Sequence, residues 1–231
     1  MANKVAIVTG ASGNLGQAVV AKFLTEGYKV IGTVIPNDPV ANTITHENFE
    51  TKVVDLLDDA GSNQFIEGII SNHARIDVAI LTVGGFAMGS ISETKTADII
   101  KQYRLNFETA YNIARPAFIQ MIKQDSGRIF MMGSRPGLDA MHGKGTVAYS
   151  IAKSSLFQLA GLMNEEAKGT NVVTTIVVPS TIDTIQNRKS MPDADFEKWV
   201  TPHSIADIIF YHCTEQALVI REPILKVYNK S

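Results

Sequence analysis

The chain has 231 residues, 45% of them hydrophobic and 19% charged, with a formal net charge of −2. That balance supports a sizeable core, and with no long run of one sign it argues against a nucleic-acid or anionic-membrane partner, which would favour a basic face. A single cysteine, Cys213, excludes an internal disulfide, and no apolar run reaches the roughly 18 residues of a membrane span. MANKVAIVTG runs straight into a strand pattern without a leader, so the expectation is a cytoplasmic protein with no nucleic-acid or membrane partner.

Short apolar runs recur along the chain: VAIV (5–8), KVIGTVI (29–35), VV (53–54), IDVAIL (76–81), RIFMM (128–132), NVVTTIVV (171–178) and PILKVY (223–228). Their length and lack of alternation suit strands buried on both faces. Helical spacing fills the intervals. Over 14–26, Leu15, Ala18, Val19, Val20, Phe23 and Leu24 form an apolar stripe, and 61–73, 96–122 and 146–168 read the same way. Another helix opens at Thr201 as N-cap with Pro202 in its first position. The alternation predicts an α/β fold, a three-layer, doubly wound parallel sheet with helices on both faces and right-handed crossovers. No repeat or linker interrupts it, so residues 1–231 read as one domain.

The first strand ends in Thr9-Gly10-Ala11-Ser12-Gly13-Asn14-Leu15-Gly16, just ahead of an amphipathic helix. Glycines there permit a tight turn and close backbone approach to a pyrophosphate, and the helix N-terminus adds free N–H groups and the positive end of its dipole. The expected ligand is a dinucleotide. At the end of the second strand an acid favours NAD and a base favours NADP. Thr33, Val34, Ile35 and Pro36 offer neither, and the nearest acid, Asp38, comes several residues late. NAD(H) and NADP(H) therefore both stay open. Asp55 either meets the adenine amino group or serves as a cap or turn residue.

TVAYSIAK (146–153) places Tyr149 and Lys153 at i and i+4 on one helix face. An ammonium about 5 Å from a phenol, at an effective dielectric near 20, favours the phenolate by roughly 3 kcal/mol. The expected result is a phenol pKa lowered by about two units, fit for proton transfer. Ser134 follows the buried strand RIFMM, where it either holds a substrate oxygen beside Tyr149 or makes a turn.

Thr9 to Gly16, Asn106, Ser134, Tyr149 and Lys153 together resemble the short-chain dehydrogenase/reductase superfamily over nearly the whole chain. The resemblance implies about seven strands, a nicotinamide cofactor, a small-molecule substrate and a homodimer or homotetramer. It implies Tyr149 as acid/base, with Lys153 also holding the nicotinamide ribose. Ser134 would orient substrate, and Asn106 would anchor a proton-relay water. Gly10, Ser12, Asn14, Leu15, Asp55, Leu56, Val83 and Gly84 would line the nucleotide. In Pro179-Ser-Thr-Ile-Asp-Thr184, Pro179, the backbone at Ile182 and the Thr184 side chain would meet the carboxamide. The sequence departs from the pattern at Asn14, at Leu81-Thr82-Val83-Gly84 and at Ser180, and Ser134 to Tyr149 is about two residues longer than usual.

NRKSMPDADFEKWVT (187–201) and DVAILTVGGF (77–86) are similar to the dihydropteridine reductase subgroup. The likeness implies a flap over substrate, a short helix closed by Met191, Phe196 and Trp199; the alternative is a segment whose rings fill a core edge. Val34 stands where that subgroup has an acid, and Ser134 restores a serine it lacks. Phe86 either stacks on a flat substrate ring or packs, and His142, in the loop before Tyr149, is a candidate substrate contact. The five histidines show no metal spacing, so no metal is expected.

Overall fold

The computed structural model describes residues 4–38 and 44–230. Strands that lack alternation must be covered twice, and these are. β1 (Val5–Thr9), β2 (Lys29–Val34), β3 (Phe49–Val53), β4 (Val78–Leu81), β5 (Ser126–Met132), β6 (Asn171–Pro179) and β7 (Ile224–Val227) form one parallel sheet of seven strands in the order β3-β2-β1-β4-β5-β6-β7. The helices are α1 (Asn14–Thr25), α2 (Asp59–His73), α3 (Thr96–Tyr103), α4 (Thr109–Lys123), α5 (Arg135–Leu138), α6 (Val147–Glu166), α7 (Ile185–Ser190) and α8 (Pro202–Tyr211). Among the described residues no helix is long and apolar enough to cross a membrane.

Side chains alternate across a strand, so each strand feeds two cores. Val5 and Ile7 of β1 pack with Ile66 of α2, Ile113 of α4 and Leu156 of α6. Ala6 and Val8 point the other way, to Val19 and Phe23 of α1 and Ile205 and Ile209 of α8. The sheet is thus the middle of three layers. Strand order reverses at β1, which lies between β2 and β4, and a crevice at such a switch point is where open α/β sheets bind ligands.

Two expectations needed correction. The third strand starts at Phe49, earlier than VV (53–54) indicates. It is an edge strand whose Lys52 and Val53 face solvent and whose Glu50 pairs with Lys29 of β2 at 2.6 Å, so a search for apolar runs finds only its end. The helix read over 96–122 is interrupted by a π-helical turn, Arg104–Glu108, in which the Thr109 N–H reaches back to Arg104 O. Asn106 sits in that turn, and isolated π turns of this kind often occur at functional sites. The start of α8 is as expected, with Thr201 Oγ1 accepting from Ser204 N at 3.1 Å and Pro202 in the first turn.

Candidate active site

The turn after β1 is tied down from both neighbouring strands. Ala11 N donates to Thr33 O at 3.0 Å, and Gly10 N to Thr33 Oγ1 at 3.3 Å. From the β4 side, Thr82 N donates to Thr9 Oγ1 at 3.1 Å and Thr82 Oγ1 donates to Thr9 O at 2.6 Å. The unusual Thr82 is thereby explained: it clamps the end of β1. A Cβ at Gly16 would lie 2.1 Å from Gly10 O, so only glycine lets α1 approach the turn this closely. No side chain caps α1 and no acid sits in its first turn, so its leading N–H groups keep their capacity for an anion.

Over this turn lies a cavity of about 570 Å³. Gly10, Ser12, Asn14, Leu15, Asp55, Leu56, Val83 and Gly84, the residues expected to line the nucleotide, all line it, together with Thr33, Asp38 and Leu105. The glycine cradle, the uncapped helix and the switch-point position fit the phosphates and adenosine of a dinucleotide. Asp55 Oδ1 accepts from Leu57 N at 2.9 Å, and the N-cap position of α2 belongs to Asp58; of the bland alternatives for Asp55, the turn is the one seen.

Gly84 connects the cavity with the second group of residues. A Cβ there would lie 2.7 Å from Asn106 Oδ1 and 3.1 Å from Lys153 Nζ, so both side chains stand directly behind the loop. Asn106 is buried and its amide is fully engaged. It accepts from Gly85 N at 3.0 Å and donates to Gly85 O at 3.0 Å and to Gln102 Oε1 at 2.9 Å. Lys153 is 4% exposed, and its Nζ donates to Met132 O at 2.7 Å. Ser134, buried at the end of β5, caps α5 by accepting from Gly137 N at 3.1 Å and is hydrogen-bonded to Tyr149. The Phe86 and Tyr149 rings meet edge to face, centroids 5.1 Å apart at 73°.

The electrostatics differ from expectation. Burial raises the Tyr149 pKa above its ordinary value, opposed by the Ser134 hydrogen bond. Lys153 does not lower it, because Nζ lies 6.0 Å from the Tyr149 ring centroid and is directed at Met132 O. The burial that raises the phenol pushes the Lys153 ammonium down to about 8. A protonated Tyr149 beside a Ser134 hydroxyl can bind a substrate oxygen or nitrogen and give it a proton.

The remaining expected residues are less closely drawn together. Pro179 ends β6, Ile182 and Thr184 follow it, and all three stand outside the lining of the glycine-turn cavity. Thr184 Oγ1 caps α7 by accepting from Asn187 N at 3.1 Å, and Ile182 O accepts from Asn187 Nδ2 at 2.8 Å. His142 is exposed on a single 3-10 turn. The short helix of segment 187–201 ends at Ser190, so Met191, 41% exposed, lies beyond it. Trp199 is 7% exposed, 4.8 Å from the Phe196 ring, and its carbonyl accepts from Asn229 Nδ2 at 2.9 Å. For Phe196 and Trp199 the packing alternative is the one the structure displays. Sequence reasoning passed over Thr33, Gln102 and Gly137 as site-builders. The signal for Gly137 was its place three residues after Ser134; hydroxyl and amide roles such as those of Thr33 and Gln102 leave no spacing signal.

The family model for short chain dehydrogenase matches residues 4–195. An acetoacetyl-CoA reductase of Acinetobacter sp. (strain RA3849) is 27% identical, covering 76% of this chain and 73% of its own. A cyclic-di-GMP-binding biofilm dispersal mediator protein of Escherichia coli (strain K12) is 26% identical over 83% of this chain and 78% of its own. Among solved structures, ElxO with NADP bound superposes with a TM-score of 0.87 at 23% identity, covering 97% of both chains. The chain belongs to the short-chain dehydrogenase family and is an NAD(P)-dependent oxidoreductase.

Proposed function

We propose that the protein reduces a carbonyl or a quinonoid dihydropterin, with Tyr149 as proton donor. The observation that carries this reading is the grouping of Tyr149 with Ser134 and with buried Lys153, whose Nζ lies 6.0 Å from the Tyr149 ring centroid and stands behind Gly84. The bound nicotinamide supplies the hydride. Ser134 accepts from Gly137 N and so keeps its own proton for the substrate oxygen or for Tyr149. Tyr149 releases its proton to the substrate atom that gains negative charge. Lys153, held by Met132 O, reaches the nicotinamide ribose and supports the developing phenolate. Asn106 fixes Gly85 and holds the loop against Lys153; with its amide engaged, its main chain is the part that would anchor the relay water. Pro179, Ile182 and Thr184 bind the carboxamide, while Phe86, His142 and Met191 bound the substrate side. Phe86, 64% exposed over Tyr149, offers a flat face to a flat ring, which favours the dihydropterin. Ser134 and the relative named acetoacetyl-CoA reductase favour a carbonyl. We further propose that the protein works as a homodimer or homotetramer.

A second reading, a dinucleotide sensor without turnover, draws on the relative named as a cyclic-di-GMP-binding mediator. One experiment separates the three. NADH and NADPH oxidation is followed with quinonoid dihydropterin and with a panel of ketones and aldehydes, using wild type and Tyr149→Phe. Turnover with the pterin assigns a dihydropteridine reductase, and turnover only with carbonyls assigns the other reductase. Tyr149→Phe is expected to lose at least about a hundredfold in rate while binding cofactor nearly as well. Full activity in Tyr149→Phe removes the proposed mechanism. Cofactor binding without turnover on any acceptor leaves the sensor.

A further inference from the structure

The loop from β4 to α3 turns its polar groups on itself and its apolar ones to water. Ser90 N and Ser90 Oγ donate to Glu93 Oε2 at 2.9 and 2.6 Å, and Thr94 Oγ1 donates to Ser90 O at 2.7 Å. Phe86, Met88 and Ile91 of the same loop are 64%, 79% and 81% exposed. Met141 stands 87% exposed in the loop before Tyr149. The two loops are joined main chain to main chain: Gly89 N donates to Gly145 O at 2.8 Å, and Val147 N donates to Gly89 O at 3.0 Å. One such side chain on a surface needs no explanation, but several on two loops bonded together do.

The place of these loops supplies the reason. At one end Asn106 holds Gly85 by its N–H and by its carbonyl, at 3.0 Å each, and the next residue, Phe86, meets the Tyr149 ring. At the other end Val147 opens α6 two residues before Tyr149. The apolar side chains thus begin at the proton donor and continue away from it along the joined loops. Methionine is unbranched and adapts to the shape it covers, which suits a flexible chain better than a rigid ring. His142 and Lys144 are exposed beside Met141, so the first loop is the more apolar of the two. We propose that the substrate is a carbonyl compound with an unbranched alkyl tail, and that Met88 and Met141 determine specificity by covering that tail. Hydride reaches the carbonyl carbon from the nicotinamide, the Tyr149 proton goes to the oxygen, and the product is an alcohol. The inference rests on the reductase reading and decides between its two acceptors. Phe86 alone suits a flat ring, but a dihydropterin would lay its polar edge against methionines that offer it no hydrogen bond.

The test is kcat/KM for methyl ketones of rising chain length, from butanone to decanone, and for quinonoid dihydropterin, each with NADH and with NADPH. In wild type kcat/KM is expected to rise about two- to fourfold for each added methylene. The gain should lie chiefly in KM, because the tail is remote from the reacting carbon and is held alike before and during hydride transfer. Met88→Ser with Met141→Ser should flatten the series and cost about tenfold on decanone, and Met88→Leu with Met141→Leu should restore it. A flat series in wild type, or a slope unmoved by the serine pair, overturns the proposal. A serine pair that keeps the slope but lowers the mass seen by light scattering gives these side chains to a second copy, and overturns it too. Turnover of the pterin without any ketone overturns the alkyl tail and leaves the reductase reading standing. Turnover of no acceptor at all removes the reductase reading and this proposal with it.

Discussion

Lys153 shows how one residue can work against the fold and for the chemistry. Its ammonium is buried with the Met132 main-chain carbonyl as its hydrogen-bond acceptor, and its pKa falls from 10.5 to about 8. Between those values the unfolded chain binds more protons than the folded one, so this group makes stability rise with pH. Below about pH 8 both states carry the charge and the folded state bears its desolvation in full. Lys153→Met should therefore stabilise the protein at pH 7 by on the order of 2 kcal/mol, the relief of desolvation less the loss of the Met132 hydrogen bond. Denaturant midpoints of the two proteins should converge as pH climbs from 8 to 10.5. If Lys153 supports the phenolate that forms at Tyr149 during turnover, as proposed, the same variant should also be nearly inactive. In wild type, reductive turnover should fall as pH rises through about 8. A variant no more stable than wild type at pH 7, or a rate flat from pH 6 to 10, would show that Lys153 is not a strained ammonium.

At the level of elements, most of the fold was legible because buried parallel strands write themselves as apolar runs and their crossover helices as stripes. The glycine turn and the Tyr149–Lys153 pair were legible too, since both depend on spacing within one element. What escaped depends on the chain folding back on itself. β3 is half-solvated and polar, so its start at Phe49 has no apolar signature. The π turn at Asn106 adds one residue to a helical turn without changing composition. Thr82 looked like a departure from the pattern, and only its two hydrogen bonds to Thr9 give it a purpose. The direction of the Tyr149 shift was misjudged because i,i+4 spacing fixes a shared face and not where the lysine nitrogen points. The glycine turn also carries a prediction of its own. In Gly16→Ala the new Cβ would meet Gly10 O at 2.1 Å, so α1 must retreat from the phosphate turn. Dinucleotide binding should weaken by at least about tenfold, read by titration, with circular dichroism little changed. Unaltered affinity in that variant would mean that the nucleotide does not bind against the start of α1.

For the whole molecule, the sheet is covered on both faces, yet one helical layer keeps apolar side chains that the chain does not bury. Along α3, the π turn and α4, the rings of Tyr103, Phe107 and Tyr111 stack in sequence, with centroids 4.8 and 6.0 Å apart. Ile100, Tyr103, Tyr111 and Ile119 are exposed on this stretch, and Ile151 and Leu162 are exposed on α6. Polar residues such as Lys101, Arg104 and Arg115 on the first stretch and Ser154 and Gln158 on α6 are exposed among them. Scattered single apolar residues would need no explanation, but a row of them along adjoining elements marks an association surface. A second copy is the simplest cover, because a two-fold axis pairs the same surface with itself. Light scattering at micromolar concentration should then give a mass of at least twice 25.1 kDa. Charged replacements at Tyr111 and Leu162 together should return it to the monomer mass while leaving the nucleotide cavity, which neither residue lines, able to bind. A monomer mass for wild type would refute the pairing, and would leave this apolar row to some other protein or to solvent.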